Sequence, residues 1–126
     1  MAVAGRLSRP LVKALDEAKI IGVRAGLEEH RFLGVWVVVV DGRAFVRPYF
    51  NERGGWYQVF QDEPRGLLQV GAREVPIRAK PSRGERLMDA IDAAYAAKYH
   101  TPGALKWVKG FKTASRRART LEITPR

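Results

Sequence analysis

The stretch VWVVVVDGRAFVRPYFNERGGWY, residues 35–57, limits the possible folds more than any other part of the chain. It opens with a β-branched run, residues 35–40, whose stiff side chains suit a pleated strand. Asp41 and Gly42 follow, and then a second β-rich run, residues 43–50. Asp-Gly between two such runs predicts a tight hairpin, because both central turn residues must tolerate positive φ. The second strand leads into a polar, glycine-containing loop, residues 51–55, and an amphipathic segment that opens at Trp56 and Tyr57. A loop rich in N–H donors at a helix start suits an anion, since the first helical amides lack internal partners. Arg47 and Arg53 flank that place.

The remaining elements fall on either side of this hairpin. Ser8 can cap a first helix that carries Pro10 in its first turn and ends near residues 18–20. Residues 20–25 read as a strand and 26–31 as a polar turn. Residues 33–40 are nearly all apolar, which predicts one strand covered on both faces with Trp36 inside it. Along 43–50, Phe45, Arg47 and Tyr49 share one face, and Ala44, Val46, Pro48 and Phe50 the other. Pro48 cannot donate to a ladder, so this strand should end in an edge or a bulge. A short helix over 56–62 stops at Pro64, and a second hairpin, 66–70 with 73–79, turns at Gly71 and Ala72. Ser82 and Glu85 match a capping box that opens the longest helix, 84–99. Leu87, Ile91 and Tyr95 line one face of that helix, and Asp89 and Asp92 look to solvent. Residues 105–114 are basic and partly helical, and 119–124 read as a last strand. Six short strands with flanking helices, in a single domain over residues 1–126, predict an α+β fold built on an antiparallel closed or split β-barrel.

Composition removes several classes of function. The absence of cysteine excludes disulfides, thiolate catalysis and cysteine-ligated metals, and two histidines, His30 and His100, cannot alone build a His-rich metal site. No metal is expected. No apolar run approaches the ~20 residues of a membrane span. The first residues lack the pattern of a secretory signal, so the expected compartment is the cytoplasm. The net charge is +10, and residues 106–126 carry seven Lys or Arg against one acid. Such a segment attracts polyanions, although a phosphate-bearing small ligand is the preferred partner over nucleic acid. Ser8, Ser82 and Ser115 have no histidine partner in any motif, and Asp62, Glu63 and His100 suit solvated or helix-end roles. No catalytic residue is assigned.

The sharper hypothesis lies between residues 47 and 57. Arg47 and Arg53 can each meet a phosphate with a planar fork. Gly54 and Gly55 allow close backbone approach. Trp56 and Tyr57, with Tyr49, offer aromatic surface to a flat ring. The same residues can also be read as core aromatics beside solvated arginines, and the residues alone leave both readings open.

Three segments, WVVVVDGRAFVRPYFNERGGWYQ, AIDAAYAAKYHTP and ASRRARTLEITPR, carry a resemblance in that order. Together they resemble the small bacterial family catalogued as domain of unknown function 2255, which is grouped with flavin-binding split barrels of the pyridoxamine-phosphate-oxidase type. The pattern is also similar to deazaflavin-dependent nitroreductases, in which a strand, a loop and a Trp-Tyr helix start lie at the cofactor phosphate; Trp56 and Tyr57 match that motif. Before the hairpin, GLEEHRFLG stands where relatives tend to carry a small, polar turn. The resemblance implies a split-barrel homodimer with a cofactor site at the interface and supplies no activity; the first hypothesis is an oxidoreductase-like or cofactor-carrying split barrel that binds an FMN or deazaflavin nucleotide, with any redox chemistry belonging to the cofactor. The alternative is a non-enzymatic module of the same fold that binds no cofactor and holds an anionic ligand or nucleic acid on its basic surface.

Overall fold

The computed structural model describes residues 6–126. Ser8 Oγ accepts a hydrogen bond from Leu11 N–H at 3.3 Å and caps α1 (Arg9–Glu17), with Pro10 in the first turn. The chain continues through β1 (Ile21–Ala25), β2 (Leu33–Val35), β3 (Val38–Val40) and β4 (Arg43–Val46). Asp41 and Gly42 take φ of 50° and 75°, the doubly positive turn that matches strand twist. The short helix α2 (Trp56–Asp62) leads to the hairpin of β5 (Arg65–Val70) and β6 (Arg73–Pro81), and then to α3 (Glu85–Lys98), the longest helix. Two short helices, α4 (Leu105–Gly110) and α5 (Ala114–Arg117), precede β7 (Leu121–Pro125).

The seven strands form one sheet in the order β2-β1-β5-β6-β7-β4-β3, and every pairing is antiparallel. The edge strands β2 and β3 are consecutive in the chain, separated only by Trp36 and Val37. The sheet therefore curls until its two edges approach at that link, giving the half-barrel of a split-barrel-like fold.

This corrects the expectation of one strand over residues 33–40 and raises the strand count from six to seven. The segment passes from pairing with β1 to pairing with β4, so its ladder breaks between them. The backbone groups freed at the break need partners, and the end of α3 supplies them. Val37 N–H donates to Tyr99 Oη at 3.1 Å, and Lys98 Nζ donates to the Val37 carbonyl at 2.8 Å. Trp36 stacks on Tyr99, with ring centroids 3.9 Å apart and planes 2° from parallel. The period of two survives the break. Val35, Val37 and Val39 pack toward the inside of the sheet, and Trp36, Val38 and Val40 toward α3.

Two apolar cores result. The inner one fills the curl with Ile21, Val23, Leu68, Ile77, Leu121 and Ile123, closed by Leu11 and Leu15 of α1 and Phe60 of α2. The outer one lies between β3–β4 and the helices, and holds Phe45, Met88, Ile91, Tyr95, Val108 and Phe111.

Three further expectations are corrected. β4 ends at Val46, so Pro48 follows the strand and lies buried behind it. Ser82 does not cap α3. Its N–H donates to the Thr120 carbonyl at 3.1 Å, prolonging the β6–β7 pairing, and Gly84 takes the cap position at φ 112°. Asp92 faces inward rather than to solvent and pairs with Arg47 and Arg117, whereas Asp89 stays exposed at its outer end.

Candidate functional site

A cavity of about 400 Å³ opens where the chain leaving β4 meets α2 and α4, within the size range usual for small-ligand sites. The loop of residues 51–55 borders it through Glu52 and Gly55. Gln58 Nε2 donates to Asn51 Oδ1 across the loop, and Gly55 N–H donates to the Glu52 carbonyl at 3.0 Å. Gly54 takes φ +77°, a conformation that glycine adopts without penalty. A side chain on Gly55 would meet Glu52 at 3.1 Å. This turn delivers Trp56 and Tyr57 to the cavity wall at the start of α2.

Tyr49 forms another part of the wall and is tightly held. Its ring meets Trp107 and Phe111 edge-on, at centroid distances of 4.8 and 5.5 Å. The Arg116 guanidinium lies 3.6 Å from the Tyr49 ring centroid, while its Nε donates to the Tyr49 carbonyl at 2.8 Å and its Nη1 to the Gly110 carbonyl at 3.0 Å. A Cβ on Gly110 would come to 2.5 and 2.8 Å from Tyr49 ring carbons, so that glycine is required for the ring to sit there. Trp36, through its stack on Tyr99, completes the aromatic lining.

Arg47 also lines the cavity, but its guanidinium is engaged elsewhere. Nε donates to Thr120 Oγ1 at 2.8 Å, and Nη1 donates to Asp92 Oδ1 at 2.6 Å and to the Phe111 carbonyl at 2.9 Å. The side chain has no solvent exposure. Asp92 in turn lies 3.2 Å from Arg117 Nε, and Arg117 reaches Asp89 at 2.7 Å and Glu85 at 3.4 Å. The Arg47 guanidinium also lies 5.7 Å from the Tyr95 ring. Burial pushes the Tyr95 phenol far above its ordinary range, against the opposing pull of Arg47.

Of the residues expected at the site, Arg47, Tyr49, Gly55, Trp56 and Tyr57 therefore share one cavity. Gly54 lines a neighbouring hollow beside His30 and Val59, and Arg53 is exposed on the loop. The sequence reading did not single out Trp107, Phe111, Trp36, Phe50 or Ile20, which also line it. One signal was available: Trp107 and Phe111 stand four residues apart, the spacing of one helix face, in a segment read only for its charge. That charge is partly committed, because Arg116 and Arg117 are held within the molecule.

The lining suits a flat ring, with several aromatic faces around an apolar space. Its charged residues are Arg47, already neutralised by Asp92, and Glu52, which pairs with no described residue. The ring of a flavin or deazaflavin fits these walls; its phosphate finds no free cation among the described residues that line them.

Among the described residues no helix is long and apolar enough to cross a membrane. The fold is similar to that of an FAD-binding protein from Mesorhizobium loti, at 13% identity and a TM-score of 0.55, covering 94% of this chain and 88% of that one. A conserved hypothetical protein from Mycobacterium tuberculosis is similar at 10% identity and a TM-score of 0.55, covering 98% and 82%. At such identities the likeness is one of fold. No curated protein matches the chain. The sequence profile of one family, described as uncharacterised and conserved in bacteria, matches residues 10–123, nearly the whole length, and the chain belongs to that family, domain of unknown function 2255.

Proposed function

We propose that this protein binds the planar ring of a flavin or deazaflavin in the cavity between α2 and α4, and that any redox chemistry belongs to that ring. The observation that carries the reading is the wall of Trp36, Tyr49, Trp56, Tyr57, Trp107 and Phe111 around about 400 Å³. A flavin or deazaflavin supplies hydride or electron transfer when bound, and the protein supplies position and exclusion of water. Tyr49, fixed by Arg116 and by Gly110, and Trp56 and Tyr57, fixed by the turn at Gly54 and Gly55, orient the ring. The fold shared with an FAD-binding protein supports the same reading but does not by itself determine function.

The test is a titration of FMN, riboflavin and a deazaflavin nucleotide, followed by flavin absorption and by quenching of protein fluorescence. Binding below millimolar is expected. Trp107→Ala should weaken it by about 1–3 kcal/mol, the range found when a ring loses an aromatic stacking partner. Absence of binding by all three would sink the proposal.

A homodimer is part of the same reading. Phe50, Ile20 and Trp107 line the cavity while 63%, 56% and 37% exposed. Exposed apolar surface of this kind marks an interface, and a twofold partner over the mouth would cover it. A monomer mass by light scattering would count against the dimer.

A second reading has its own support. Arg6, Arg9, Lys13, Arg43 and Lys80 converge on a hollow of about 680 Å³ between α1 and the β4–β7 side of the sheet, facing Asp16, Asp41 and Glu122. A non-enzymatic module holding an anion there would bind inorganic phosphate or an oligonucleotide with strong salt dependence and leave the aromatic cavity uninvolved.

A further inference from the structure

We infer that the cavity recognises its ligand by the uncharged ring alone and forms no ion pair with a phosphate, so that riboflavin and FMN bind nearly alike. The inference rests on the flavin reading above and narrows it to a ligand class: flat, neutral heteroaromatic rings, with any phosphate left in solvent.

Four observations carry it. The Arg47 guanidinium, with no exposed surface, donates to Thr120, Asp92 and the Phe111 carbonyl. Nη2 is turned to Met88 Sδ at 3.7 Å inside the outer core, so an arginine held this way must give up its bonds to Asp92, Thr120 and the Phe111 carbonyl to turn toward a new anion, leaving Asp92 with Arg117 alone. Arg116, which holds Tyr49 but lies outside the lining, spends its Nε and Nη1 on the Tyr49 and Gly110 carbonyls and its face on the Tyr49 ring. Glu52 is the remaining charged residue of the lining, and its carboxylate opposes a phosphate. Arg53 sits on the loop between lining residues but is exposed and outside the lining. A solvated cation of that kind contributes at most about a fivefold change in affinity, whereas a desolvated arginine clamp contributes more than tenfold.

The experiment uses the wild-type protein, because replacing Arg47 would disturb the fold along with the site. Riboflavin and FMN are titrated separately at about 50 mM and about 300 mM salt. The expected result is a dissociation constant for FMN within about fivefold of that for riboflavin at low salt, converging at high salt as a solvated contact is screened. FMN binding more than fivefold tighter than riboflavin at low salt would overturn the inference and leave the flavin reading standing. If neither compound binds, the flavin reading itself fails and takes this inference with it.

Discussion

The two sides of the sheet are built on different physics. Inside the curl, Leu15, Ile21, Val23, Leu68, Ile77, Leu121 and Ile123 pack without a buried charge among them. Outside, between β3–β4 and the helices, the packing includes the ion pair of Arg47 and Asp92, the Lys98 ammonium and the phenols of Tyr95 and Tyr99. The inner side has only apolar surface to remove from water, and any side chain of suitable volume would serve it. The outer side joins a strand break, three helices and a cavity wall, so its polar groups must meet particular partners. Stability comes mainly from the first region, and the candidate site takes Trp36, Tyr49 and Phe111 from the second and only Trp56, Tyr57 and Val35 from the margin of the first.

The largest expected effect tests this division directly. Leu68→Ala, at a fully buried inner position, should lose about 2–5 kcal/mol, the range for emptying a packed site. Ring affinity of the folded fraction should stay unchanged. Arg47→Met should lose about 3 kcal/mol, the lower end of the range for breaking a buried pair, because Asp92 keeps Arg117. Unlike Leu68→Ala, it should also weaken ring binding, since Arg47 ties the Phe111 carbonyl to β4's end. Urea melts and riboflavin titrations on both variants give the comparison. Equal loss of binding in the two would erase the distinction between the regions.

A smaller effect sharpens it through pH. Burial lowers the Lys98 ammonium to about 8 from 10.5, with Asp16 pulling it up and Lys19 pushing it further down. Between those values the unfolded chain holds more protons than the folded one, so stability rises as pH climbs through that window and levels off below the folded value, where both states are protonated. Tyr99 acts in the opposite sense and at higher pH: burial raises its phenol to about 12 from 10.0, and the stability this gives is lost above its ordinary value. Urea melts between about pH 7 and 9.5 therefore report mainly Lys98. Lys98→Met should flatten the rise, and it should lower stability at every pH because the Leu15 and Val37 carbonyls lose a donor. A wild-type and a variant curve of the same slope would show that this ammonium does not titrate as its burial requires.

Much of the candidate site was legible because it is local. Tyr49, Gly55, Trp56 and Tyr57 lie within nine positions of one another, and the glycine loop and helix start between them follow from backbone preferences. Trp107 and Phe111 arrive from fifty or more positions away, and only the packing of α4 against the end of β4 brings them to Tyr49. Arg47 shows the same limit in another form. Its place on the Phe45–Tyr49 face could be read from the alternation, but its partners stand at positions 92, 111 and 120.

The sequence by itself determined the Asp41-Gly42 and Gly71-Ala72 turns, the short helix at Trp56 and the apolar face of α3, because each depends on φ preferences or periodicity within a few residues. Only the tertiary structure decided that the apolar run breaks at Trp36 and Val37. The run is uniformly β-forming, and nothing local marks the point where its pairing passes from one sheet edge to the other. Only the tertiary structure decided, too, that Arg47 meets a carboxylate before it can meet a ligand. A charged group's partner is set by which distant elements close over it, and a buried guanidinium is held by whichever anion folding brings within reach.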